Sequence, residues 1–80
     1  MPKLKRLSGA EVVSILETFG FSIKSQKGSH IKLRREVDGN QQTLTVPNHK
    51  ELSTGTCRAI FSQASAYIPE AQLYKYFYTE

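Results

Sequence analysis

The chain has 80 residues, 39% apolar and 22% charged, and eleven Lys/Arg against seven Asp/Glu give it a formal charge of +4. That composition lies in the globular range, which excludes a disordered chain, and burying only about 60–65% of its unfolded surface leaves room for a single domain. No run approaches the roughly 18 apolar residues of a membrane span, and Cys57 with two histidines cannot fill a four-ligand zinc site without carboxylate help.

In chain order, the start MPKLKRL is charged but has no apolar segment behind it, so no signal peptide is expected. Ser8 and Glu11 form a capping-box pattern, with Leu7 and Val12 at hydrophobic-staple positions around it. Val12, Ile15, Leu16 and Phe19 recur at helical spacing, predicting a helix over residues 9–19 with Gly20 as its left-handed terminator. Phe21 to Ser25 alternates as a half-buried strand would, and Lys27-Gly28-Ser29 is a turn. From His30 to Val37 the alternation resumes, with Ile31, Leu33 and Val37 on one face and His30, Lys32, Arg34 and Glu36 on the other. Arg35 interrupts the apolar face and is expected near the strand's exposed end. Asp38-Gly39-Asn40 signals a hairpin, and Thr43 to Val46 makes a third strand ended by Pro47. Ser53 or Thr54 caps a second helix burying Cys57, Ile60, Phe61 and Ala64, and Pro69, Leu73 and Phe77 allow a short terminal helix. The predicted order is α-β-β-β-α, an α+β fold in which helices cover one face of a three-stranded antiparallel sheet. The whole chain, residues 1–80, forms that one domain.

The charge is uneven. Residues 1–50 hold nine Lys/Arg and four Asp/Glu, whereas residues 51–80 hold two and three. Lys24, Lys27, Lys32, Arg34 and Arg35 cluster without an acidic residue among them, and His30 sits in their midst. If helices cover the apolar face, His30 and the basic side chains share the open one. Such a cluster serves as a solvated face or as a phosphate-binding patch. An imidazole there can take a proton from a ribose 2′-hydroxyl, while Lys27, Lys32 and Arg34 hold the phosphate and stabilise charge on its oxygens. The bland alternative is a wet strand histidine. His49, in Pro47-Asn48-His49-Lys50, is expected to brace the helix entrance after it, and Cys57 to be a packed thiol. No Gly-rich nucleotide loop is present, since Gly28 and Gly39 are isolated hairpin glycines. For Tyr67, Tyr74, Tyr76, Phe77 and Tyr78, core packing and partner docking are both open.

The segments SGAEVVSILETFGF, QKGSH and VPNHKELSTGTCRAIFSQA resemble the HicA toxins of bacterial type II toxin–antitoxin pairs, over Leu7 to about Ala66. The Gly28-Ser29-His30 turn and the Val46–Leu52 run with Gly55-Thr56 beyond it carry the resemblance. It implies a double-stranded-RNA-binding-domain-like fold and metal-independent cleavage of mRNA. The histidine of the turn, His30, is then the catalytic residue. Lys24, Lys27, Gly28, Ser29, Lys32 and Arg34 are the expected RNA-binding residues. A HicB-like antitoxin that masks His30 is the expected protein partner. No metal, organic cofactor, membrane or DNA bound by this chain alone is expected, and the lone cysteine fits a reducing, cytoplasmic setting. The chain departs from the family in having Ser25 where an arginine often precedes the Gln of the turn, and Ser65 where a glycine often follows Gln-Ala. Duplex-binding modules grip phosphates with lysines at the start of the second helix. Here Ser53 to Ala64 offers only Arg58, so single-stranded mRNA is the expected substrate. A non-catalytic RNA-binding module, or a protein-interaction domain using the same basic hairpin, is the alternative.

Overall fold

A computed structural model describes residues 3–79. Met1 and Pro2, within the charged start read above, and Glu80 lie outside the described residues. The elements are β1 (Lys3–Leu4), α1 (Gly9–Thr18), β2 (Ser22–Lys27), β3 (His30–Val37), β4 (Asn40–Pro47), α2 (Thr54–Ala64), α3 (Glu70–Phe77) and β5 (Tyr78–Thr79). β2, β3 and β4 form an antiparallel sheet in that order, and helices pack on one face of it. The shortest extent of the molecule, 17 Å, leaves room for one sheet and one helical layer. This is the α+β, double-stranded-RNA-binding-domain-like layout the sequence predicts.

Local chemistry explains the elements. Ser8 Oγ accepts the Glu11 backbone N–H at 3.0 Å and the Glu11 carboxylate accepts the Ser8 N–H at 2.8 Å, so both halves of the capping box form. Leu7 and Val12 close the staple and are buried. At the other end Gly20 takes φ +95°, open to glycine at little cost. Asp38 and Gly39 both have positive φ, 52° and 80°, as a type I′ hairpin turn demands between Val37 and Asn40. Ser53, rather than Thr54, caps α2 by accepting the Thr56 N–H at 3.1 Å.

The core joins Ile31, Leu33, Leu44 and Val46 of the sheet to Val12, Leu16, Cys57, Ile60 and Ala64 of the helices. The C-terminal aromatics belong to it. Phe77 is fully buried, Tyr78 meets Phe61 edge-on at 5.3 Å, and Tyr76 meets Phe19 at 5.6 Å. The β1–β5 pair, absent from the sequence reading, ties the two ends of the chain, and Lys5 N–H donates to the Phe77 carbonyl at 2.7 Å.

Two expectations need correction. Of the span Phe21 to Ser25 only Phe21 is buried: β2 begins after it, all six of its residues are exposed and Ile23 keeps 49% of its surface, at the edge of the sheet. Nor does Arg35 lie at a free strand end. It is half-buried and donates from Nε to Gln42 Oε1 at 2.9 Å, and from its two terminal nitrogens to the Phe19 carbonyl at 2.8 Å and the Tyr67 carbonyl at 2.9 Å. Its guanidinium also stacks over the Phe21 ring at 4.9 Å. One side chain thus fastens the end of α1 and the segment after α2 to the sheet. Arg35→Met keeps the stem but removes all three donors, and is expected to cost about 2–4 kcal/mol in urea denaturation. An unchanged midpoint would show that the clamp contributes nothing.

Candidate functional site

The β2–β3 hairpin turns on Gly28 and Ser29, between the paired residues Lys27 and His30. Gly28 has φ +59° while Ser29 has none of the positive values, the pattern of a type II′ turn. Nothing lies within 4 Å of where a Gly28 Cβ would stand, so the glycine is required by its backbone angle and the turn stays unobstructed. The Gln26 side chain donates to the Gly28 carbonyl at 3.1 Å and braces the turn.

Ladder pairing decides which side chains share a face. Ile31 and Leu33 point into the core, and His30, Lys32 and Arg34 point away from it. Opposite them on the open face stand Lys27, Ser25 and Ser22 of β2, and Pro47, Thr45 and Thr43 of β4. Strict alternation from Ser22 would have put Lys27 on the other face. A bulge between Ile23 and Ser25 adds Lys24 as an extra residue and shifts the phase, bringing Lys27 directly across from His30. Cross-strand neighbours have Cβ atoms about 5 Å apart, so an imidazole and an ammonium flank one spot at the mouth of the turn. Lys32 follows two residues along the same face.

Among the described residues no salt bridge engages these cations. Among the described residues the only ion pair is Arg6–Glu51 at 3.5 Å, which involves none of them and is exposed on both sides. His30, Lys24, Lys27 and Lys32 are exposed, Arg34 is half-buried, and the Nε of Arg34 has no hydrogen-bond partner. Sequence reasoning missed Ser22, Glu36 and Gln41, which join Lys24 and Arg34 around a depression near the start of β2. Nothing in their own residue types signals it.

The two motif segments meet in space. The Asn48 backbone N–H donates to the Ser29 carbonyl, which holds the Pro47–His49 loop beside the turn. The His49 carbonyl accepts the Gly9 N–H at 2.9 Å, so His49 braces the entrance of α1, not that of the helix after it. The fit at Gly9 is close: a Cβ there would stand 2.1 Å from the Pro47 carbonyl oxygen and 2.9 Å from the Asn48 Cα. Cys57 is buried on α2, and burial pushes its thiol pKa up, away from a nucleophile's range. Among the described residues no three His, Cys, Asp or Glu side chains gather to hold a metal ion, and no helix is long and apolar enough to cross a membrane.

The fold and the face together define a small α+β domain of the double-stranded-RNA-binding-domain type, with an unpaired basic surface on its bare sheet. A family model described as HicA toxin of bacterial toxin-antitoxin matches residues 9–66, well over half of the chain. Neither the curated proteins nor the solved structures give a significant match. The chain belongs to the HicA toxin family and is thereby the toxin component of a toxin–antitoxin pair, with an antitoxin as its implied partner.

Because the Pro47–His49 loop is backed by Gly9, Gly9→Ala should push it off the turn. Amide resonances of Ser29 and His30 are expected to shift together with those of Asn48, alongside a lower melting temperature. Resonances that stay in place would mean the loop does not position the turn.

Proposed function

We propose that this toxin is a metal-independent endoribonuclease that cleaves single-stranded mRNA in the cytoplasm, with His30 as its acid/base group. The observation that supports this reading best is the pairing of His30 with Lys27 across the turn, with Lys32 beside them and no carboxylate near. His30 accepts the proton of a ribose 2′-hydroxyl as its oxygen attacks the adjacent phosphorus. The bond from phosphorus to the 5′ oxygen breaks, that oxygen takes a proton from water on the exposed face, and the His30 imidazolium returns its proton to the resulting hydroxide. The products are a 2′,3′-cyclic phosphate and a 5′-hydroxyl end. Lys27 and Lys32 stabilise the charge that develops on the phosphoryl oxygens. Gly28 and Ser29 keep the approach to His30 free of bulk, and Lys24 and Arg34 bind RNA further along the face.

His30 is exposed and pins nothing, so His30→Ala should fold normally while cleavage of an mRNA falls about 10²–10⁴-fold. Equal cleavage by both proteins removes His30 from the mechanism. Salt-dependent binding that survives the substitution, with no products from either protein, would favour a non-catalytic RNA-binding module.

A HicB-like antitoxin working by masking must cover this same face, so it should offer acidic or aromatic groups to it. Charge reversal at Lys32 and Arg34 is therefore expected to weaken RNA and antitoxin together, read by titrating each separately. Loss of only one would separate the two surfaces, and loss of antitoxin alone, with no RNA affinity in the parent, favours a protein-interaction domain.

A further inference from the structure

β2 begins at Ser22, opposite Arg34, while β3 runs on to Val37 with only β4 beside it. Before Ser22 the chain turns away through Gly20. The mismatch leaves a depression of about 250 Å³ at the sheet edge, lined by Gly20, Ser22, Lys24, Arg34, Arg35, Glu36 and Gln41. Arg34 stands four residues along β3 from His30, a distance of about 13 Å at the usual rise. One phosphate cannot sit against both.

The chemistry of the lining is that of a nucleotide. Lys24 and Arg34 present two cations without carboxylate partners among the described residues, and the Arg34 Nε–H is enclosed with no acceptor. An anion in the depression would meet the exposed Lys24 ammonium and the guanidinium of Arg34. An ionised Glu36 carboxylate can only accept, so it selects a base edge carrying amino or imino hydrogens, and Ser22 and Gln41 can donate or accept. Resting on the reading that His30 cleaves RNA on this face, we infer that the depression is a second nucleotide subsite. It takes a phosphate on Lys24 and Arg34 and the amino-bearing edge of the attached base on Glu36, away from the cleaved bond. It confers a preference for that base at a fixed distance from the cut.

Random-sequence RNA pools of three and eight nucleotides test this, the longer pool spanning both ends of the hairpin. For the wild-type protein kcat/KM should be higher on the octamers. In Arg34→Gln, and in Lys24→Gln whose exposed parent side chain holds no fold contact, that octamer-to-trimer ratio should fall about tenfold. Sequencing the products should show a favoured base at one distance from the cut, lost in Glu36→Gln. An unchanged ratio in both charge variants, or no positional preference in the wild type, overturns the subsite. Its failure is distinguishable from that of the catalytic reading. If the wild type cleaves neither pool, binding of a 2′-O-methyl octamer, which cannot be cut, decides instead. A weaker Arg34→Gln complex, with a log K against log salt slope shallower by about 0.7, supports the subsite. Equal affinity, or full RNA affinity with loss of the antitoxin, overturns it.

Discussion

Everything in this molecule follows from a sheet that is covered on one face only. Leu33 and Val46 are fully buried under α1 and α2, while the alternate positions of the same strands have no layer above them. Among the described residues no second helical layer covers that face. Period-2 geometry then turns the alternate residues of β3 outward, and those residues are His30, Lys32, Arg34 and Glu36. The helices that hide the apolar side are what gather the charge on the other.

Arg34 and Arg35 show how sharply that geometry divides labour. They are adjacent in sequence and identical in type. Arg34 points to the open face and leaves its Nε without a partner. Arg35 points to the helical side, where Gln42, the Phe19 carbonyl and the Tyr67 carbonyl take its donors. Only a planar fork with donors in fixed directions can reach three such acceptors at once, so lysine would not replace it. One arginine joins three segments of the chain, while its neighbour keeps an enclosed Nε–H without a partner.

The sequence made the outline of this arrangement legible where the signal is local. The capping box at Ser8, the left-handed Gly20 and the Asp38-Gly39 turn each determine their structure through a few adjacent residues. The face of His30 was equally readable, because alternation is a property of one strand. What stayed hidden depends on partners distant in the chain. The bulge at Lys24 comes from pairing with β3 and not from the residues of β2, and without it Lys27 would face away from His30. The clamp at Arg35 needs carbonyls from two other segments. A charged residue on an otherwise apolar strand face was its one available sign, read as exposure when it marked an anchor. The depression beside Arg34 arises because two strands differ in length, which residue types do not encode.

A bare, flat, cationic face imposes its own logic of control. It has no cavity around His30 that could exclude water or select a small molecule, so on the proposed reading its specificity comes from the length of polymer that it contacts. The same openness leaves it always accessible, since no lid among the described residues covers it. Restraint must then come from outside, from a partner large enough to cover the sheet. The unpaired cations that attract a polyanion also steer an acidic partner at a rate set by the same field. A substitution that weakens substrate capture by reducing that field therefore weakens masking too. On the proposed reading, the toxin cannot readily escape its antitoxin by losing charge without losing its target as well.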